Sequence, residues 1–149
     1  MMQKIEIVPF REEYAERIAQ LEKSCFSDPW SENAFRQLPQ KSYCHYLVAL
    51  ADKVPAGFAG MVVLGDEGDI DKVMVDQAFR KRGIADAMLK ELFRLGGELG
   101  VKAYTLEVRA GNAPAIALYQ KNGFAGEGIR PGFYEKPKED ALIMWRRKE

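Results

Sequence analysis

The chain has 149 residues, of which 47% are hydrophobic and 30% are charged, and its formal net charge is zero. This length and composition predict a single globular domain, residues 1–149, that is large enough to bury a full core. The absence of net charge, of a secretory leader pattern and of any apolar run near roughly 20 residues argues against nucleic-acid binding, secretion and membrane insertion. Cys25 and Cys44 are therefore interpreted as reduced thiols of a cytoplasmic protein.

Hydrophobic periodicity in the first half of the chain predicts one strand, two helices and then three strands. In order, they are Lys4–Val8, Glu12–Lys23, a short helix from Ser31 to about Leu38, Tyr46–Ala51, Ala56–Leu64 and Ile70–Val75. The segment Ser27–Ser31 predicts a turn, and Ser31 is of the residue type that caps a helix N-terminus. The segment Asp52–Pro55 predicts a hairpin connection.

The second half predicts two helices and three strands. They are a helix from Gly83 to about Leu99 that ends at Gly100, a strand Tyr104–Arg109, a helix Ala113–Asn122, and strands Phe124–Ile129 and Ala141–Trp145. Consecutive strands early in the chain favour antiparallel pairing, whereas the strand–helix–strand unit Ile70–Arg109 requires a parallel crossover. The predicted class is α/β, with a mixed sheet of about seven strands and helices on both faces.

A basic turn, Arg80–Ala85, connects the strand ending at Val75 to the helix beginning at Gly83. A helix N-terminus presents free backbone N–H groups and a positive dipole end, and such a point binds phosphate. Gly83 lets the backbone approach a ligand closely, and Ala85 is small enough not to block it. The turn lacks the Gly-Lys-Ser/Thr of a P-loop and the glycine pattern of a dinucleotide fold. The alternative interpretation is an ordinary basic turn at the surface.

Glu107 lies on the predicted strand Tyr104–Arg109, on the face opposite Leu106 and Val108. A strand reached by a crossover helix is usually interior, where a carboxylate is costly unless it is paired or lies in a cleft. Glu107 is therefore a candidate catalytic residue, and a structural ion pair with Arg109 is the alternative. In the helix that follows, Asn112 fits an N-cap and Tyr119 lies on nearly the same face, although both could serve only capping and packing.

The motifs together resemble the GCN5-related N-acetyltransferase (GNAT) family. Its signature, Gln/Arg-x-x-Gly-x-Gly/Ala, is matched by Arg80–Ala85, and the segment Leu106–Phe124 resembles the ribosomal-protein alanine N-acetyltransferases of the RimI type. Pro29–Ser31 and Glu139–Met144 match the same subfamily, so the resemblance covers nearly the whole chain. Lys72 departs from it, since a smaller polar residue is expected before Val73.

This resemblance implies an acyltransferase that uses acetyl-CoA and no metal. Glu107 would be the general base, and Tyr119 the general acid that protonates the leaving thiolate. The cofactor would be bound by backbone groups of the strand, by the turn and by the helix caps: Val73, Met74, Val75, Lys81, Arg82, Gly83, Ile84, Ala85, Asp86 and Asn112. Direct attack by the amine needs no covalent intermediate, so Cys25, Cys44 and His45 have no predicted role, nor do they form a convincing zinc site.

The acceptor is predicted to be the N-terminal amine of a protein, most specifically a ribosomal protein that begins with alanine. Trp30 and Tyr134 are the candidate substrate-binding residues, and Asp28, Glu32 and Glu135 could attract an ammonium group. No direct contact with nucleic acid or membrane is expected. The alternatives are a GNAT enzyme that acetylates a small amine, and a non-catalytic acyl-CoA-binding or ribosome-associated module, which would need neither Glu107 nor Tyr119.

Overall fold

The computed structural model describes residues 4–26, 29–38 and 42–147. Within these ranges the elements are β1 (Ile5–Pro9), α1 (Ala15–Cys25), α2 (Glu32–Arg36), β2 (Cys44–Ala51), β3 (Val54–Leu64), β4 (Glu67–Val75), α3 (Ile84–Glu98), β5 (Ala103–Arg109), α4 (Ala113–Lys121), β6 (Ala125–Tyr134) and β7 (Glu139–Arg147). Short 3-10 turns, Glu12–Tyr14 and Gln77–Phe79, lie before α1 and α3. The predicted α/β class and the predicted order of strands and helices are confirmed.

The strands form one mixed sheet in the order β1-β2-β3-β4-β5-β7-β6. All neighbours are antiparallel except β4 and β5, which are parallel and are connected through α3. The early antiparallel strands and the single parallel crossover are therefore as predicted. The C-terminal strand β7 lies between β5 and β6, so β5 is an interior strand.

Each face of the sheet is covered by a separate hydrophobic cluster. On β2, Leu47 and Ala49 join the cluster under α3 and α4, while Tyr46, Val48 and Leu50 join the cluster under α1 and α2. The two sides are called here the α3 face and the α1 face. Because apolar side chains point both ways from β2, that strand is an almost continuous hydrophobic run, as strands buried on both faces are.

Capping residues set the helix ends much as the sequence predicts. The Ser31 hydroxyl accepts a hydrogen bond from the Ala34 N–H at 3.1 Å, and Gly100 follows α3 with a φ of 81°. The first predicted helix begins later than expected, since Glu12–Tyr14 forms the 3-10 turn. No helix in the described ranges has both the length and the apolar character needed to cross a membrane.

The hairpins extend further than their hydrophobic patterns indicate. Asp52 and Lys53 alone form the turn between β2 and β3, both with positive φ, as two-residue hairpin turns require. β6 runs to Tyr134 and β7 begins at Glu139, so most of the predicted loop between them is strand. These added residues form the wall of the site described next.

Candidate active site

A cleft opens inside the sheet where β4 and β5 separate. The two strands pair only between residues 67–69 and 103–105. Beyond that point β4 continues along β3 and β5 continues along β7. Two strand edges therefore face each other without pairing, and a cleft of about 650 Å³ lies between and above them. Backbone groups on such an edge need hydrogen-bond partners, which makes the cleft suitable for an extended ligand.

The free edge of β4 presents its backbone groups at alternate residues. The Val75 carbonyl accepts a hydrogen bond from Arg80 Nε at 3.2 Å, and the Asp76 N–H donates to Ala56 on β3 at 2.8 Å. Successive residues of a strand point their backbone groups to opposite sides. Val73 and Val75 therefore direct theirs into the cleft, whereas Met74 directs its own toward β3 and buries its side chain in the α1-face cluster.

A β-bulge at Asp71 turns two successive side chains of β4 toward the α1 face. On β3, Gly60 pairs with Lys72 and Met61 pairs with Ile70, which leaves Asp71 as the extra residue. The Tyr46 hydroxyl donates to the Asp71 carboxylate at 2.6 Å. Desolvation raises the pKa of Asp71, and burial raises that of Tyr46 as well. Gly60 makes this contact possible, since a Cβ there would lie 1.9 Å from the Tyr46 ring.

Glu107 faces the cleft from β5. Tyr104, Leu106 and Val108 enter the α3-face cluster, so Glu107 lies on the α1 face, as the predicted alternation requires. Its side chain is 27% exposed, and its carboxylate lies 3.9 Å from the guanidinium of Arg130 on β6. This position keeps Glu107 reachable from solvent, and Arg130 is its one ion-pair partner within 4 Å among the described residues.

Arg109 takes a different partner from the one that the alternative interpretation proposed. Its guanidinium lies 3.3 Å from the Glu139 carboxylate and donates to the backbone carbonyls of Glu135 and Pro137. It also packs 4.5 Å from the centre of the Tyr134 ring. Arg109 thus fixes the β6–β7 hairpin to β5, and Glu107 is not held in an ion pair with it.

Tyr119 reaches the cleft from α4, which packs on the α3 face. The residue is 8% exposed and lines the cleft opposite Glu107. Burial, with a smaller contribution from Tyr134, raises the pKa of the phenol to about 12. Because the strands are separated at this point, a carboxylate from one face of the sheet and a phenol from the other line the same cleft.

Asn112 combines the two roles considered for it. Its side-chain carbonyl accepts a hydrogen bond from the Ala115 N–H at 3.3 Å, which caps α4. The same residue lies in the lining of the cleft. The predicted N-cap is therefore confirmed, and the predicted contact with a cofactor arm stays a prediction at a suitable location.

The N-terminus of α3 opens beside the end of β4. Gly83 is the N-cap with a φ of 77°, and no side chain caps the helix there. Ile84 anchors the first turn by burying its side chain in the core. The first intrahelical bond runs from the Ala87 N–H to the Gly83 carbonyl, so the amides before Ala87 project from the helix end. Lys81, with a φ of 64°, and Arg82 supply positive charge beside them.

The Asp86 carboxylate is turned away from this opening. It accepts a hydrogen bond from Asn122 Nδ2 at 2.9 Å and pairs with Lys90, and Lys121 lies 3.9 Å away. The hydrogen bond from Lys90, followed by that from Asn122, lowers the pKa of Asp86. The side chain joins α3 to the end of α4, so Asp86 can make the predicted phosphate contact only through its backbone.

The two predicted acceptor-side aromatic residues differ in their surroundings. Tyr134 lines the cleft directly, and burial together with Glu107 raises the pKa of its phenol. Trp30 packs against Phe35 at 5.4 Å between ring centres, which makes it an anchor of the α1-face cluster. Trp30 borders the cleft through Glu22, to which its backbone N–H donates at 3.4 Å, and through Lys72, whose ammonium lies 3.9 Å from the centre of the Trp30 ring.

Of the acidic residues expected to attract an ammonium group, Glu135 lines the cleft. Glu32 is instead paired with Arg36 at 2.6 Å, and Asp28 lies outside the described residues. Among the residues that are described, no cluster of three or more histidine, cysteine, aspartate or glutamate side chains is arranged to hold a metal ion. The cleft thus combines a carboxylate, a buried phenol and a free strand edge, and the α3 N-terminus follows the end of β4 outside the cleft lining.

Several residues at the cleft were not among the predicted site residues, notably Glu22 and Asp71 in its lining and Arg130 beside Glu107. Glu22 and Arg130 come from distant segments, and no local pattern marks either one. Lys72 did carry a signal, because it departs from the pattern of the resembled subfamily. Asp71 could have been found only from the bulge.

Comparison with known proteins matches the chain to acetyltransferases. The model of the Acetyltransferase (GNAT) family matches residues 15–124. The ribosomal protein bS18-alanine N-acetyltransferase of Escherichia coli (strain K12) is 35% identical over 126 residues, 83% of this chain and 84% of that protein. The N-alpha-acetyltransferase RimI of Mycobacterium tuberculosis (strain H37Rv) is 36% identical over 140 residues, 89% of this chain and 85% of that one.

The solved structures include a similar fold over almost the same length. The crystal structure of the ribosomal-protein-S18-alanine N-acetyltransferase from Escherichia coli superposes with a TM-score of 0.89 at 30% identity. The superposition covers 97% of this chain and 94% of that one. The cleft between β4 and β5 therefore belongs to an architecture already known in solved proteins.

Proposed function

Because the chain belongs to the acetyltransferase (GNAT) family, we propose that it transfers an acetyl group from acetyl-CoA to the N-terminal α-amine of a protein. The observation that carries this proposal is the separation of β4 from β5. It brings Glu107 and Tyr119 to one cleft from opposite faces of the sheet, beside the N-terminus of α3. A module that only bound an acyl-CoA would require neither side chain.

The donor site fits acetyl-CoA by its chemistry. A pyrophosphate is stabilised by projecting amides and a positive dipole end, which the segment from Lys81 to Asp86 supplies. The amide-containing pantetheine arm can pair with an open strand edge, as an added strand does, through the backbone groups of Val73 and Val75. Asn112 at the start of α4 lies where it can contact the same arm.

Glu107 acts on the acceptor. An N-terminal ammonium has a pKa of roughly 7.7–8.0 and must lose a proton before its nitrogen can attack. Glu107, on the exposed side of the cleft, takes that proton directly or through one water. The nitrogen then bonds to the thioester carbonyl carbon, the carbon–sulfur bond breaks to release the thiolate, and the nitrogen loses its second proton to the thiolate or to water.

Tyr119 acts on the leaving group, and its pKa of about 12 favours hydrogen-bond donation over complete proton transfer. A thiol has a pKa of roughly 8.5, so complete proton transfer from Tyr119 to the thiolate is uphill. The phenol instead stabilises the developing negative charge by donating a hydrogen bond to sulfur. This narrows the predicted general-acid role to that of a hydrogen-bond donor.

The acceptor that the relatives support is the N-terminal alanine of a ribosomal protein. The E. coli relative is named for that activity on bS18, and a similar substrate is proposed here. The hairpin wall that carries Tyr134 and Glu135 offers an aromatic surface and a carboxylate to the first residues of a peptide. Acetyl-CoA and ribosomal proteins are both present in the cytoplasm, where we place the reaction.

Replacement of Glu107 tests the proposal. Glu107→Gln keeps the shape of the side chain and removes its basicity, so kcat should fall by about 10²-fold or more. Acetyl-CoA affinity, measured by calorimetry, should be retained. Glu127→Gln is the matched control, because Glu127 lies on β6 in an ion pair with Arg147 and outside the cleft lining. Wild-type kcat in Glu107→Gln would remove Glu107 from the mechanism.

A further inference from the structure

We propose that Lys72, held in place by Glu22, forms the wall that limits the size of the first side chain of the acceptor. This inference rests on the proposed function and assigns a specificity-determining residue to the same cleft. Lys72 lies on β4 immediately before Val73, and it lines the cleft together with Glu107. Its identity is also one of the departures of this chain from the pattern of the subfamily that it resembles.

The Lys72 side chain is enclosed on three sides. Its ammonium forms an ion pair with the carboxylate of Glu22 on α1. The same ammonium lies 3.9 Å from the centre of the Trp30 ring and 4.8 Å from that of Phe26. Only 9% of the Lys72 side chain is exposed. A carboxylate and two aromatic faces around one cation hold the side chain in a single position.

The ion pair with Glu22 stabilises Lys72 in that position. Glu22 is fully buried, and one carboxylate oxygen accepts from both Lys72 and the Trp30 N–H, the latter at 3.4 Å. Its other oxygen, Oε2, has no hydrogen-bond partner among the described residues. Withdrawal of Lys72 would leave a buried carboxylate without its counter-ion, which is strongly unfavourable. The wall is therefore rigid.

The bulge places this wall on the side from which the acceptor approaches. Asp71 and Lys72 both turn toward the α1 face, and Glu107 lies on that face as well. When the attacking nitrogen is within reach of Glu107, the first Cα is one bond away. The first side chain must then lie in the space between β5 and the Lys72 stem. A small side chain such as that of alanine fits without displacing the ion pair.

Two double variants separate side-chain volume from charge. Glu22→Gln with Lys72→Met removes the ion pair and keeps an unbranched stem of similar length. Glu22→Gln with Lys72→Ser removes the ion pair and the stem together. Neither variant leaves a buried charge unpaired, so the two are matched in electrostatics. The measured quantity is the ratio of kcat/KM for two peptides that differ only in beginning with Ala or Met.

The double variant with Lys72→Met should keep the wild-type preference for the peptide beginning with Ala over the peptide beginning with Met. The double variant with Lys72→Ser should lose about tenfold or more of that preference, the scale on which pocket size separates side chains. Thermal unfolding and acetyl-CoA affinity confirm that each variant is folded. Where the Ser-containing variant does not fold, Glu22→Gln with Lys72→Val takes its place, since valine is also shorter than the lysine stem and suits a strand.

An unchanged ratio of kcat/KM for the two peptides in the folded double variant with Lys72→Ser or Lys72→Val overturns the inference. Failure of the proposed function gives a different result, because the wild-type protein would then acetylate neither peptide. In that case the same comparison is made with alaninamide and methioninamide as small acceptors. Loss of discrimination between those two amides in the Ser-containing variant supports Lys72 as the size-limiting wall, and unchanged discrimination overturns it.

Discussion

At the scale of single residues, burial favours the protonated form of Tyr119, the residue proposed to donate a hydrogen bond to sulfur. Its position in the core raises the pKa of the phenol to about 12, which favours the protonated form in the folded protein. The phenol therefore stays protonated throughout the range in which an N-terminal amine loses its proton.

The pH dependence of the reaction should reflect this. We expect kcat/KM to rise as the acceptor amine deprotonates, near a pH of roughly 8, and then to stay level to about pH 10. A decline between those values that disappears in Tyr119→Phe would mean that the phenol ionises there, against the direction of its shift. Tyr119→Phe itself should lower kcat while leaving acetyl-CoA affinity largely unchanged, and a loss of affinity alone would make Tyr119 a cofactor contact.

The position of Glu107 was predictable from sequence, but its partners were not. Alternation along β5 places Glu107 opposite Leu106 and Val108, and the structure agrees. Arg130, and not Arg109, lies beside Glu107, because Arg109 forms an ion pair with Glu139, which is 30 residues away in the chain. Local spacing alone suggested Arg109, because it cannot show which distant carboxylate will compete.

At the scale of elements, the start of α3 depends on a glycine with a positive φ. Gly83→Ala forces a Cβ into the left-handed region and should destabilise the protein by about 1–2 kcal/mol, as well as weaken acetyl-CoA binding. Gly65→Ala is a matched control: its φ is 63°, and neither glycine has an atom within 4 Å of an added Cβ. It should lose similar stability in thermal unfolding without any loss of acetyl-CoA affinity. Equal acetyl-CoA affinity in Gly83→Ala and Gly65→Ala would mean that the turn at Gly83 does not bind acetyl-CoA.

The contact between α3 and α4 through Asp86 should be sensitive to acid. Its pKa is lowered in the folded state, so its contribution is present above the unfolded value of roughly 3.9 and is lost as pH falls toward the lowered folded value. Asp86→Asn should cost about 1 kcal/mol in urea unfolding at neutral pH and much less near pH 3. Asp66→Asn, at an exposed position in the β3–β4 turn, is the control. A deficit that persisted unchanged in acid would mean that the Asp86 charge is not its source.

Element boundaries were predictable where caps mark them and not where pairing decides them. Ser31, Asn112 and Gly100 identify helix ends because capping is a local interaction. The bulge at Asp71 has no local signature, since it arises from the register of β3 against β4. The sequence likewise predicted a longer loop before β7, where antiparallel pairing continues the strands through polar residues.

At the scale of the whole molecule, the predicted mixed sheet, the enzyme class and the likeness to ribosomal-protein alanine N-acetyltransferases are confirmed. The separation of β4 from β5 was not evident from the residues alone, because each strand has an ordinary hydrophobic pattern. It lies where β4 continues along β3 and β5 continues along β7, and the second of these pairings joins segments far apart in the chain. The cleft is thus a property of the topology, and the motifs only mark what lines it.

Acetyl-CoA-dependent thiol release with a set of acceptors tests the central claim most directly. The set contains a peptide with a free N-terminal alanine, the same peptide blocked at its N-terminus but containing lysine, and several small amines. We predict turnover with the free N-terminal peptide alone, and its loss in Glu107→Gln. Turnover confined to small amines, or equal with the blocked peptide, would contradict the claim that the cleft acetylates protein N-termini.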